Sequence, residues 1–275
     1  MGIIDYDIKP KLTIGLIQLP CDITTDNEIP FIFIQIKDIC WRMQKLKFEN
    51  DDNNITLKTY ENSKKNIKIA ASIFIPIDNN SYGSIDIIAL ACTSMSFSLG
   101  SDEVQKELLN GYPNALIATD MATSILESLE CFRNKDSNNC DVILITPYSN
   151  EMHKKNIEFL SSNNINIIAD YNFNLYTDSE ISSINPQSII DCIKNILAFP
   201  PYVNIDAILI SCNALRVTSC GLIDKMEKIF NIPIVTSNQA LAWHCLHLCD
   251  KVDKNEIKNI KGYGKLFKLG FKDVF

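Results

Sequence analysis

The sequence contains no apolar run of the ~18–20 residues needed to cross a bilayer, so no membrane partner is expected. Its start, MGIIDYDIKPKLTIGLIQLP, carries Asp5 and Asp7 and is broken by Pro10. It lacks the basic head and small-residue cleavage site of a secretory signal, and the expected compartment is the cytoplasm. Met1-Gly2 opens like a myristoylation signal, but Tyr6 stands where Ser or Thr is needed. There is no C-x-x-C and only three His, so neither a structural metal site nor a disulfide framework is expected. Basic residues are not in excess: 26 Lys plus Arg face 33 Asp plus Glu, a formal net charge of -7. That balance argues against a broad phosphate-binding face, and no nucleic-acid partner is expected. A small anion is still compatible, because a few local donors can hold one carboxylate.

What is present is core-forming material. Hydrophobic residues make up 46% of 275 positions, enough for one large domain or two smaller lobes. Ten cysteines read mostly as small buried apolar groups, with one or two available for chemistry. Apolar runs recur at Leu12–Leu19, Ile67–Ile75, Ile85–Ala91, Ala115–Ala118, Val142–Ile145, Ile165–Ala169, Ala207–Ile210 and Ile232–Val235. They lack strict alternation, as strands buried on both faces of a parallel sheet do. Helical spacing fills the gaps at Ser101–Leu109, Met121–Phe132, Glu151–Leu160 and Ser188–Leu197. Alternating pieces of this kind predict an α/β fold with parallel sheets. Lys45–Asn66 is polar, and reads as a loop followed by an amphipathic helix from about Thr56, with a mobile lid as the functional alternative. The basic, aromatic tail is expected to dock through Tyr263 and Phe267.

An internal repeat organises these pieces. Ile85-Asp86-Ile87-Ile88-Ala89-Leu90-Ala91-Cys92 echoes Ile205-Asp206-Ala207-Ile208-Leu209-Ile210-Ser211-Cys212. Ala115–Asp120 is echoed by Pro233–Asn238, each followed by a helix. Upstream, Gly15–Asp22 matches Ile143–Asn150. Three echoes in one order imply two similar α/β lobes about a pseudo-two-fold axis. Ligands of open parallel sheets bind beyond the carboxyl ends of the strands. Cys92 and Cys212 both stand at such ends, so two facing lobes would bring both thiols to one cleft. The hydroxyls of Thr93, Ser94 and Ser96 and the amide of Asn213 lie beside them and suit an oxyanion site. The alternative is a pair of buried strand-end cysteines without chemistry.

The stretches Ala91-Cys92-Thr93-Ser94-Met95-Ser96-Phe97, Ser211-Cys212-Asn213-Ala214-Leu215-Arg216 and Val235-Thr236-Ser237-Asn238-Gln239-Ala240 resemble the aspartate/glutamate racemase superfamily. Within it the sequence is most similar to the maleate isomerase, arylmalonate decarboxylase and ectoine-utilisation racemase-like branch. The resemblance runs from Gly15 to about Phe267. It implies two pseudo-symmetric flavodoxin-like lobes with parallel four-stranded sheets, an interlobe active site, and no cofactor. The lobes are expected at 1–118, completed by 237–275, and at 119–236. By the same resemblance Cys92 and Cys212 are the catalytic pair, and Tyr148 falls where a carboxylate-binding Tyr is found. Asp22 lies in the substrate-contacting stretch after the first strand, where facing a dicarboxylate would be repulsive unless it is protonated or paired. The decarboxylase carries Gly at the position matching Cys92, which weakens that reaction as a reading.

Two opposed thiols permit two chemistries. One thiolate removes the proton beside a carboxylate and the other thiol reprotonates the opposite face, which inverts the centre. Alternatively a thiolate adds to a cis alkene, the new single bond rotates, and elimination gives the trans acid. Either requires a thiolate near neutral pH, and thus one thiol pKa below the free value of ~8.5. The expected partner is a small carboxylate substrate, held by Thr93, Ser94, Tyr148, Asn213, Asp22 and Asn238. Asn238 reads equally as a helix cap, and Arg216 as a ligand contact or as a partner of Asp120 or Asp22. His244 is expected to pack, and His153 and His247 to lie at the surface. Cys220, Cys245 and Cys249 are expected to pack helices. Asp86 and Asp206 are expected at the far end of the sheets. The specificity wall is expected at Ile23–Phe33 and Tyr171–Asp178, and the chain is expected to form a homodimer or higher homo-oligomer. An arylmalonate-type decarboxylase and a non-catalytic carboxylate-binding protein stand as alternatives.

Overall fold

Strands without polar alternation have to be covered on both faces, and the computed structural model shows how. It describes residues 10–49, 56–74, 84–199 and 204–270. In chain order the elements are β1 (Leu12–Gln18), α1 (Thr24–Phe33), β2 (Ile39–Lys45), α2 (Leu57–Ser63), α3 (Lys65–Ser72), β3 (Ile87–Leu90), α4 (Thr93–Leu99), α5 (Ser101–Gly111), β4 (Ile117–Asp120) and α6 (Met121–Glu130). There follow β5 (Cys140–Thr146), α7 (Asn150–Ser162), β6 (Ile165–Asn172), α8 (Asp178–Ser182), α9 (Pro186–Leu197), β7 (Ala207–Ile210), α10 (Leu222–Phe230), β8 (Ile234–Thr236), α11 (Ser237–His247) and α12 (Lys254–Lys258). The strands form two four-stranded parallel sheets, ordered β2-β1-β3-β4 and β6-β5-β7-β8. β1, β3 and β7 are buried along their whole length, and β5 nearly so. No helix of the described residues is long and apolar enough to span a membrane.

Two segments depart from the sequence expectation. Ile67–Ile75 is not a strand; its described part is α3, running to Ser72, and Phe74 beyond it (Ile75 lies outside the described residues). Ile67, Ala70 and Ala71 are buried on one face while Ile69 and Ile73 face solvent, the 3.6-residue period of a helix rather than a strand. The missing strand of the first sheet is β2, whose mixed sequence suits a half-buried edge. The expected lobe boundary at 118 falls inside β4, where Thr119 and Asp120 still pair with Ala89 and Leu90.

The repeat seen in sequence is carried out bond for bond. Asp86 accepts from the Thr13 amide and Asp206 from the Asp141 amide, both at 2.9 Å. The amides of these two aspartates return to the carbonyls of Thr13 and Asp141, again at 2.9 Å. Both carboxylates therefore pin the start of a central strand at the end of the sheet away from the thiols. At the other end the Ala91 amide meets the Ile17 carbonyl and the Ser211 amide meets that of Ile145, so each central pair closes one residue before its cysteine.

The tail docks as expected. Tyr263 and Phe267 are buried edge to face, with centroids 6.1 Å apart, and Gln239 donates to the Tyr263 carbonyl at 2.7 Å. Gly264 takes φ 76° while its amide meets Asp224, and a Cβ there would sit 2.6 Å from Ile223. Only glycine accepts both that backbone and that approach.

Candidate active site

Cys92 follows β3 by two residues and stands at the N-cap position of α4; Cys212 follows β7 by two residues as well. A backbone amide favours the thiolate of each, that of Met95 for Cys92 and that of Ala214 for Cys212. The two thiols line a single pocket between the lobes, together with Leu19, Tyr60, Ser94, Tyr148, Tyr176 and Asp178. The open space at its heart is about 20 Å³, close to what one water occupies. The site is thus closed over its sulfurs.

Closure sets the electrostatics. Burial pushes Cys92 up to about 12, and Cys212 higher still, with the Asp178 carboxylate adding to both. The expectation of a lowered thiol pKa is therefore not met in this structure. Two amides favour thiolate, but desolvation outweighs them.

The polar groups divide sharply. Tyr148 is 5% exposed, packs edge-on to Phe97 and lines the pocket with Cys212, and its buried hydroxyl has no hydrogen-bond partner among the described residues. Ser94 lies 3.8 Å from the Cys92 sulfur and hydrogen-bonds the buried Tyr60 hydroxyl. Asn213 lines the pocket and binds the other lobe: its Oδ1 accepts from the Thr93 amide at 3.1 Å, and its Nδ2 donates to Asp22 at 2.7 Å.

Thr93, Asp22 and Asn238 do not line that pocket. Thr93 donates its hydroxyl toward Asn213 and the Met121 sulfur. Asp22 is fully occupied: it accepts from the amides of Thr24 and Thr25, the Thr25 hydroxyl and Asn213. Asn238 donates to Glu28 and to the Asn213 carbonyl. Glu28 in turn accepts from the Thr218 amide at 2.8 Å, and burial raises its pKa to about 7. These side chains form an interlobe strut behind the thiols.

Other expectations are corrected or met. His153 is not a surface residue: it bridges Thr146 and Asp170 at 2.8 and 2.9 Å and is buried. His247 is half-buried, with Nδ1 2.8 Å from the Trp243 carbonyl. His244 packs as expected; Ser124 lies 2.9 Å from its Nδ1, and burial lowers its pKa to about 3, which keeps it neutral. Arg216 is exposed, in a separate groove with Ile23 and Phe31, so that part of the expected specificity wall lies off the thiol pocket. Cys220 is exposed rather than packed. Among the described residues no cluster of three His, Cys, Asp or Glu is placed to hold a metal ion.

Sequence reasoning missed Tyr60 and did not single out Asp178. Tyr60 belongs to α2, inside the segment read as loop and helix. Asp178 follows Thr177, whose capping box with Glu180 is visible in the sequence as T-x-x-E and marks the start of α8. That motif locates a helix start but does not show which pocket it faces.

The arylmalonate decarboxylase family matches this chain over residues 54–267, most of its length. The chain belongs to that family. Its fold is also shared with solved enzymes. Maleate isomerase Iso from Pseudomonas putida superposes with a TM-score of 0.74 at 16% identity, covering 93% of this chain and 98% of the other. A double mutant of arylmalonate decarboxylase in its liganded form gives 0.72 at 20% identity, with the same coverage. A mutant of the Nocardia farcinica maleate cis-trans isomerase carrying a covalently bound succinylcysteine intermediate gives 0.72 at 16%, again covering 93% and 98%. No curated protein sequence gives a match.

Proposed function

We propose that this arylmalonate decarboxylase family member is a cofactor-independent isomerase or racemase of a small carboxylate, with Cys92 and Cys212 as its two proton-transferring or adding groups. The observation that carries this reading is the arrival of both thiols, from equivalent positions of two lobes, in one enclosed pocket. A thiolate on one side removes a proton beside the substrate carboxylate, and the thiol on the other side delivers one. The electron pair left on carbon spreads into the carboxylate, whose oxygens are met by the Tyr148 hydroxyl, Ser94 and Asn213. Asp22, Asn238 and Glu28 hold the lobes at the separation this needs.

The test is a panel of chiral carboxylates and maleate incubated in D2O with the parent protein, Cys92→Ser and Cys212→Ser. Deuterium at the α-carbon with loss of optical purity, abolished by either change, is the expected result. Fumarate from maleate supports the addition route. The family match favours one second reading, decarboxylation. It predicts carbon dioxide release from a malonate that survives Cys92→Ser and is lost in Cys212→Ser.

A further inference from the structure

The interlobe strut has a second open face. Asn213 lines the thiol pocket, whereas Glu28, joined to it through Asn238, lines a separate groove of about 490 Å³. That volume is enough for a small organic molecule. One wall is the outer side of α1, where Ile23 is 60% and Phe31 57% exposed. The other is the segment after Cys212, with Arg216, Ser219 and Cys220 exposed along it. The walls are tied together by the Thr24 hydroxyl, which donates to the Ala214 carbonyl at 2.9 Å, and by Glu28 on the Thr218 amide. Tyr263 of the docked tail is 1% exposed yet lines the groove, and its hydroxyl makes no hydrogen bond among the described residues. Two charged side chains border this space. Both oxygens of Glu28 are engaged, by the Thr218 amide and by Asn238. Arg216 has no ion pair among the described residues. An unpaired guanidinium thus stands at the edge of a groove walled by Ile23, Phe31 and Tyr263.

We propose that this groove is a second ligand site, for a carboxylate carrying an apolar chain. It stands apart from the two-thiol reading and does not rest on it. The carboxylate pairs with Arg216, whose planar fork meets two oxygens at once. The chain lies along Ile23, Phe31 and the Tyr263 ring, and removes from water the apolar surface they now expose. Charge complementarity sets the class of the occupant. One free cation suits a monoanion; a dicarboxylate or a phosphate ester would bring a second charge toward Glu28 with no donor left to meet it. The occupant touches both lobes, so binding adds to the stability of their pairing and raises the melting temperature.

Cys220 reports on the site directly, because it is exposed within the groove. Cys21, exposed and bonded to Asp178 at the thiol pocket, is the internal control. The probes are butyrate, hexanoate and octanoate, each beside its primary amide. Alkylation of the full chain by iodoacetamide is followed at both cysteines by peptide mass mapping, in the parent and in Arg216→Gln. Octanoate at about ten times its dissociation constant should slow Cys220 by about 10-fold and leave Cys21 unchanged. The half-protecting concentration should fall about 2- to 4-fold for each added methylene, as partial to full burial of that group requires. Octanamide should protect on the order of 10-fold less well, and Arg216→Gln should cost octanoate a similar factor without changing the melting temperature of the free protein. Arg216→Lys should recover part of the loss. Absence of protection overturns the proposal, as does equal protection by acid and amide, a comparison that needs only the parent protein. Protection that survives in Arg216→Gln overturns it too. Slowing of Cys21 together with Cys220 would assign the binding to the thiol pocket instead. Protection of Cys220 that grows with protein concentration in the absence of any probe would make a second copy of the chain the occupant, and would equally overturn the proposal.

Discussion

Asp22 is the sharpest case in which sequence and structure assign different work to one residue. As a substrate contact, its removal should weaken binding and leave stability alone. As the strut seen here, its removal should do the opposite. Asp22→Ala deletes the acceptor for two amides at the start of α1, a capping loss of about 1 kcal/mol. It also strands the Asn213 amide, 2.7 Å away and buried, at a cost of about 1–3 kcal/mol. The Thr25 hydroxyl loses little, because Asn238 Oδ1 lies 3.2 Å from it. Relief from burying a carboxylate, which raises the pKa of Asp22, offsets part of this. The net loss should be about 2 kcal/mol, or roughly 4–8 °C in melting temperature for a chain of this size. Calorimetry or circular dichroism reads it, and an Asp22/Asn213 double-mutant cycle should show coupling of about 1 kcal/mol or more. A loss under about 1 kcal/mol together with abolished substrate affinity would refute the reasoning and return Asp22 to the ligand.

Tyr148→Phe should leave stability unchanged or raise it by about 1 kcal/mol, since an underused buried hydroxyl is removed; turnover should fall by on the order of 100-fold, and a marked loss of stability would contradict this. Glu28 ionises near 4.5 when unfolded and near 7 when folded, so the folded state holds the extra proton between those values. Its contribution to stability should fall as pH rises through that window, by about 3 kcal/mol, and level off above pH 7. Urea unfolding of the parent and of Glu28→Gln on either side of the window reads that slope as a difference, and parallel profiles contradict it. Alkylation of the native protein should mark Cys220 first and spare Cys92, Cys212, Cys140 and Cys245 until unfolding, as peptide mass mapping would show. Gly264→Ala should destabilise by about 1 kcal/mol or more, because the tail loses both its left-handed turn and its close approach to Ile223.

The legible parts of this protein are those where local pattern and global role coincide. β1, β3, β5 and β7 lie at the middle of their sheets, and their unbroken apolar runs report that position directly. The edge strand β2 is half-buried along its length and mixes Ile39, Arg42 and Lys45, so it carries no such run. α3 was hidden because Ile67, Ile69 and Ile73 read as one apolar stretch until the neighbours of each were known. The thiol pair was legible because the repeat places both cysteines at equivalent strand ends, and Asp86 and Asp206 because the same repeat puts them at the opposite end. Asp22, Asn238 and Glu28 were not, since each finds its decisive partners some two hundred residues away. Tyr60 and Asp178 sit on short helices that only tertiary packing turns toward the sulfurs.

The central claim is that two thiols act on one carbon from opposite faces. It is tested most directly by where deuterium first appears when a single enantiomer of an accepted substrate turns over in D2O. Each thiol carries one proton, so the product enantiomer should be deuterated from the first turnover while the recovered starting enantiomer keeps its hydrogen. Deuterium entering both enantiomers at equal rates from the outset would contradict the account, because it would place removal and return of the proton on a single group.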